Sequence, residues 1–170
     1  MEFLDLAKNR YSVRRFTTEP VSDADIEKIL EAAYVAPTAC NKQPQKIFVV
    51  KSVEGLERFR RCTECHFNAP LGFIICCDKS ACWKRSFDGK LSSDVDASIV
   101  TTHMMLEAAA LGLGSTWVMY FIPEAVRTEF DLPDDMEPIA LLPVGHPAPD
   151  AQPSPQHTSF RDKAETVEYV

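Results

Sequence analysis

No segment of this chain is long and apolar enough to span a bilayer. Its most apolar stretch, Ala108 to Ile122, is interrupted by Gly112, Gly114 and Ser115, whereas a spanning helix needs about 20 apolar residues. No secretory leader is expected either, because Glu2, Asp5 and Lys8 punctuate Met1 to Arg10, where a leader would carry a basic start and an apolar run. A cytoplasmic location is the expectation. Positive charge is scarce: 18 Lys and Arg against 25 Asp and Glu give a net charge of −7. That balance argues against a nucleic-acid binder driven by bulk charge and against an anionic membrane surface, while leaving room for one local basic pocket.

Several catalytic signatures are absent as well. There is no P-loop pattern, and the four histidines are scattered, so no Ser-His-Asp order is assignable. Gly112-Leu113-Gly114 has the G-x-G spacing of a dinucleotide fingerprint, but it follows a helical pattern and leads into a strand, the reverse of the order that a fingerprint requires. It reads as a helix stop. Of the six cysteines, Cys62 and Cys65 with His66 formally meet C-x-x-C-H. Haem attachment needs export, and zinc needs two more ligands at similar spacing. Free thiols are the expected state and no metal is expected. A module for metal binding or redox sensing built on Cys62, Cys65, Cys76 and Cys82 stands as the reading from another class.

What is present suits one α+β or α/β domain spanning residues 1–170, with 45% apolar residues and no repeat or dividing linker. Met1 to Asn9 reads as a short amphipathic helix and Arg10 to Phe16 as extended chain. Ser22, with Asp25 three residues on, caps a helix that stops before Pro37. A polar loop from Thr38 to Gln45 precedes a buried strand, Lys46 to Lys51. The spacing then predicts a helix over Val53 to Arg61, a strand over Pro70 to Cys77 and an irregular loop over Lys79 to Lys90. The longest helix is expected from Asp94 to Leu113, followed by a strand over Ser115 to Phe121. A helix over Pro123 to Phe130, opened by its proline, and a core strand over Ile139 to Val144 complete the pattern.

Three clusters carry chemistry. In extended chain every second side chain shares a face, so Arg10, Ser12 and Arg14 are expected on one side, with Tyr11 and Val13 on the other. Arg10 and Arg14 then lie roughly 13 Å apart, a span that suits a ligand with a phosphate at one end and an anionic or hydrogen-bonding ring at the other. Thr38, Asn41 and Gln43 offer neutral groups able to read the edge of a heteroaromatic ring. The glycines before Ser115 let backbone approach something closely. Each cluster also has a plain reading, as a solvated basic stretch, an ordinary turn or a helix stop.

In this order the motifs resemble the FMN-dependent nitroreductase family. The resemblance rests on Arg10-x-Ser12-x-Arg14, then Ala36-Pro37-Thr38-Ala39-x-Asn41-x-Gln43-Pro44, then Asn68-Ala69-Pro70. It continues with a long helix running into Gly112-Leu-Gly-Ser-x-Trp117, then Val144-Gly145-His146-Pro147, and a basic spot at Arg161 and Lys163. It implies an α+β fold, a mixed, mostly antiparallel sheet flanked by helices, in an intertwined homodimer with FMN at the interface. It implies that Arg10 and Ser12, with Tyr11 between them, hold the phosphate and ribityl chain, that Arg14 stabilises the ring edge, and that Arg161 and Lys163 add phosphate contacts. Pro37, Thr38, Ala39, Asn41 and Gln43 would reach the ring from the other subunit, Gly114 and Ser115 would lie near its face, and residues 161–170 would form a tail contacting the partner. The implied activity is an NAD(P)H-dependent oxidoreductase, passing hydride from NADH or NADPH through the flavin to a small acceptor such as a nitroaromatic or quinone. A flavin reductase, dehalogenase or flavin-fragmenting enzyme is the alternative within the family. Gln45 stands where the family often has an aromatic and His146 where it often has tyrosine. The extra helical segment that covers the flavin in larger relatives is missing, which implies a more open site.

Overall fold

The computed structural model describes residues 2–170. Four strands form one antiparallel sheet in the order β1-β2-β4-β3: β1 (Gln45–Val50), β2 (Leu71–Asp78), β3 (Gly114–Ser115) and β4 (Met136–Gly145). The expected mixed, mostly antiparallel sheet is thus antiparallel along every ladder, and among the described residues parallel pairing occurs only as an isolated bridge between Ser12 and Ser115. The helices are α1 (Phe3–Asn9), α2 (Asp23–Tyr34), α3 (Val53–Cys62), α4 (Ser93–Ala110), α5 (Pro123–Glu129) and α6 (Lys163–Thr166). Among the described residues no helix is long and apolar enough to cross a membrane.

The central strand β2 is buried on both faces, which is why Leu71 to Cys77 is continuously apolar rather than alternating. Leu71, Phe73, Ile75 and Cys77 pack with α2 and α4 through Ile29, Ala33, Val100, Met104 and Ala108. Ile74 and Cys76 face the other way, against Phe59 and Cys62 of α3 and Val126 of α5. Arg61 clamps the second layer from outside with two bonds to the Glu129 carboxylate, at 2.6 and 2.7 Å.

Local signals set several element ends. The Ser22 hydroxyl accepts from the Asp25 N–H at 3.1 Å and so caps α2. At the end of α4, Gly112 has φ 79°. Its N–H donates to Ala109 and that of Leu113 to Ala108, a Schellman stop that requires a left-handed residue. The expected strand from Ser115 to Phe121 shrinks to Gly114–Ser115. Thr116 donates to the Pro143 carbonyl, but Pro143 has no N–H to return, so the ladder breaks. It resumes only at a Val118–Leu141 bridge. In the other direction, β4 runs beyond the expected Ile139 to Val144 at both ends.

All six cysteines are free. The sheet divides them: Cys62, Cys65 and Cys76 lie on the α3 side, while Cys77 and Cys82 lie on the α4 side with their sulfurs 3.1 Å apart. That separation overturns the module built on Cys62, Cys65, Cys76 and Cys82. The cause is the strand period, which sends the adjacent Cys76 and Cys77 to opposite faces. His66 spends its Nδ1 accepting from the Asn68 N–H.

Burial pushes the Cys62 thiol up to about 11 and the Cys76 thiol up to about 12. In the unfolded chain these thiols ionise at about 8.5, so between the two values the folded state keeps protons that the unfolded state releases. The stability they contribute is therefore complete below the unfolded value and is lost as pH rises toward about 12. The urea midpoint should hold level from about pH 7 to 8 and then fall between about pH 9 and 11. Cys76→Ala should flatten that fall relative to its own neutral-pH value, and an unaltered slope in the variant would refute the assignment.

Candidate active site

The N-terminal segment is stitched onto the sheet edge. Arg10 caps the end of α1, its N–H donating to the Leu6 carbonyl at 3.0 Å. Val13, 2% exposed, donates its N–H to the Ser115 carbonyl at 3.0 Å, and the Thr116 hydroxyl donates to the Val13 carbonyl. Thr17 donates to the His146 carbonyl at 2.9 Å, and Arg15 pairs with Asp150 at 2.7 Å. Gly114 lies directly beneath: a Cβ built there would sit 2.6 Å from Cγ2 of Val13. Glycine is required here by close approach, not by an unusual φ.

With Val13 anchored inward, Arg10, Tyr11, Ser12 and Arg14 line a cavity of about 190 Å³ together with Ser154, Gln156 and His157. No carboxylate lines it. Among the described residues neither Arg10 nor Arg14 makes an ion pair; Arg14 donates to the Ser12 carbonyl at 3.2 Å. In a chain of net charge −7, two guanidinium groups left without carboxylates beside a hydroxyl offer donors of the kind that bind an anion bidentately. A second hollow of about 180 Å³ shares Arg10 and Tyr11 and is lined further by Leu6, Met105, Leu113 and Ser115.

One detail differs from strict alternation. Val13 faces inward as expected, but Tyr11 lines the same cavity as its neighbours. Its hydroxyl donates to the Ala151 carbonyl at 3.4 Å and its ring meets His157 edge-on at 6.2 Å. The segment is held by isolated bridges instead of a continuous ladder, so the strand period is not enforced along it.

The second predicted group lies elsewhere. Pro37, Thr38, Ala39, Asn41 and Gln43 line neither hollow. Their loop folds into a short 3₁₀ turn, Ala39–Asn41. Cys40, Asn41 and Gln43 have φ of 51°, 51° and 47°, a region that costs a non-glycine residue about 1 kcal/mol or more. The Thr38 hydroxyl accepts from the Gln43 N–H at 3.0 Å, and the Gln43 amide donates to Asn41 Oδ1 at 2.9 Å. Asp96 Oδ1 accepts from the Ala39 N–H at 2.8 Å. Asn41 and Gln43 are left exposed.

Gly114 and Ser115 are buried behind Val13, and Ser115 also lines the second hollow. Arg161 and Lys163 line neither hollow: Arg161 is taken up by Glu165 at 3.1 Å, and Lys163 opens α6. Ser154, Gln156, His157 and Asp96 had no sequence signal pointing to the site. The first three sit in a Pro- and Gln-rich stretch without periodicity, and Asp96 reads as an ordinary acidic residue in the first turn of a helix.

Fold and site together define a sheet-and-helix protein with a cationic half-cavity at one sheet edge and a strained polar loop apart from it. The chain belongs to the nitroreductase family, whose model matches residues 7–70 and 66–146. It is 32% identical over 158 residues to a Methanothermobacter thermautotrophicus protein named NADH dehydrogenase/NAD(P)H nitroreductase, covering 87% of this chain and 78% of that one. A crystal structure of a nitroreductase family protein from Clostridium difficile 630 superposes with a TM-score of 0.94 at 42% identity, covering 99% and 98% of the two chains. An FMN-dependent nitroreductase from Clostridium difficile R20291 superposes with a TM-score of 0.78 at 25% identity, covering 98% of each.

Replacing Gly114 with alanine should destabilise the fold by about 1–3 kcal/mol, because the new methyl meets the stiff, buried Val13 side chain. A Gly114→Ala, Val13→Gly double variant, which removes the Val13 Cβ at 2.7 Å along with its methyls, should lose less than the sum of the two single changes. Additive losses in urea titrations would contradict the packing described.

Proposed function

We propose that the chain is a single-domain, FMN-dependent oxidoreductase that works as a homodimer, with each flavin held between the Arg10–Arg14 segment of one subunit and the Pro37–Gln43 loop of the other. The observation that carries the reading is the cavity lined by Arg10, Ser12 and Arg14 with no carboxylate facing them. Such a donor set fits an anionic phosphate and an electron-rich ring edge. The relatives' names support NADH or NADPH as the reductant.

When bound, FMN supplies the hydride and electron chemistry that takes reducing equivalents from NADH or NADPH to a small acceptor, such as a nitroaromatic or a quinone. The protein contributes position and charge. Arg10 and Ser12 bind the phosphate and the adjoining chain, with Tyr11 holding the cavity wall through Ala151 and His157. Arg14 would hold a fixed positive charge beside the ring edge. Thr38, Asn41 and Gln43 orient the ring through neutral hydrogen bonds, and the open cavity leaves solvent able to supply protons. Arg161 and Lys163, on the exposed C-terminal segment, would add phosphate contacts only after that segment shifts or when a second chain brings them in.

Three features support the dimer. A hollow of about 190 Å³ falls below the roughly 300–1,000 Å³ of ordinary ligand sites, so one chain supplies only part of the enclosure. A largely apolar groove between α1, α2 and α4 is lined by Phe3, Leu6, Ala32, Val35 and Leu106 and rimmed by Lys28, Glu31, Thr102, His103 and Glu107, with Phe3 68% exposed. Phe160 and Tyr169, 85% and 88% exposed on the tail, suit an arm that lies on a partner.

FMN titrated into the purified protein should bind with a shifted visible spectrum, one flavin per chain. Arg10→Ala should raise the FMN dissociation constant at least about tenfold, as expected for losing a charge-assisted hydrogen bond. Arg14→Ala should weaken binding and also slow reduction of the bound flavin by NADH or NADPH. Wild-type protein that takes up no FMN would end this reading, and Arg14→Ala reduced at an unchanged rate would remove that residue's role.

A further inference from the structure

The Asp96 carboxylate is 1% exposed. Among the described residues it makes no ion pair, and its two oxygens accept from neutral donors, the Ala39 N–H at 2.8 Å and the Ser92 hydroxyl at 2.6 Å. Cys77 and Cys82, both free thiols, lie close enough for its charge to act on them. Burying a carboxylate without a cation is costly, and the first turn of α4 offsets only part of that cost. The backbone bond from Asp96 to the Ser92 carbonyl, at 2.8 Å, ties the same two residues a second time.

Its partner Ala39 lies 57 residues away, at the start of the loop whose next residues hold left-handed backbone at Cys40, Asn41 and Gln43. A loop in that conformation relaxes unless something outside it holds it. The Thr38–Gln43 and Gln43–Asn41 bonds close the loop on itself; among the described residues Asp96 alone, through Ala39, ties it by a side chain to α4. We infer that Asp96 is a positioning residue, which sets the loop 38–43 so that Asn41 and Gln43 present their amides outward in the geometry that receives the flavin ring. This rests on the functional reading above and names the residue through which the loop is preorganised.

Two measurements test it. Amide exchange of residues 38–43 in flavin-free protein should accelerate at least about tenfold in Asp96→Ala, and FMN binding should weaken about tenfold. Asp96→Asn keeps an acceptor for Ala39 and can donate to Ser92, so it should restore most of both. Where Asp96→Ala fails to fold, Ala39→Pro removes the donor instead. Proline is tolerated at the start of such a turn, and the extended Thr38 before it (φ −130°, ψ 159°) suits a following proline; it should reproduce the loss of FMN affinity. Exchange and affinity unchanged in Asp96→Ala, or in Ala39→Pro where it stands in, would overturn the inference, as would Asp96→Asn behaving no better than Asp96→Ala. Because the exchange measurement needs no flavin, it decides the role of Asp96 even if wild-type protein binds no FMN, an outcome that would sink the functional reading instead.

Discussion

Val13 seated over Gly114 is the contact on which the site depends. The side chain packs into space that only glycine leaves open, and the backbone on either side is tied to Ser115 and Thr116. Once Val13 is fixed inward, the neighbouring Arg10, Ser12 and Arg14 are left lining the outer cavity without carboxylate partners. The cost of leaving two guanidinium groups unpaired is small at the surface, where water solvates them. The gain is a donor set free to meet an anion. Sheet edge, helix stop at Gly112 and cationic cavity are therefore one construction: the Schellman turn ends α4 where β3 must begin, and β3 supplies the rail for the N-terminal segment.

The polar loop is built on an opposite principle. It holds left-handed backbone at three non-glycine residues and is kept there by side-chain bonds, including one to a buried carboxylate. Local strain of this kind is common where a protein prepares a binding geometry in advance. The loop and the cationic hollow share no lining residue within one chain. In the proposed dimer a second copy would bring the two together, with the groove between α1, α2 and α4 as a surface for it.

Features written in neighbouring residues were the most legible. Ser22 with Asp25 marks the start of α2, Gly112 the end of α4, and the continuous apolar run of β2 a strand buried on both faces. The adjacent Cys76 and Cys77 had to face opposite ways, and they do. What escaped depends on residues far apart in the chain. The shortening of β3 comes from Pro143, a proline in a different strand. Tyr11 joins the cavity because residues 151–157 fold back over it, and nothing in that Pro- and Gln-rich stretch announces such a return. Asp96 carries no mark that distinguishes it from Asp94 until Ala39 is seen beside it. The sequence offered the paired arginines as a candidate anion-binding pair, whereas their lack of carboxylate partners was visible only in three dimensions.

The claim that a site is shared between two chains is tested most directly by complementation. One variant carries Arg10→Ala with Arg14→Ala, a second carries Asn41→Ala with Gln43→Ala, and the two are mixed under conditions that exchange subunits. In a shared site each heterodimer has one intact pocket and one that is doubly damaged, so the mixture should recover tight FMN binding at one flavin per heterodimer, with neither variant binding tightly alone. A mixture that exchanges subunits yet binds no more FMN than its separate components would contradict the account.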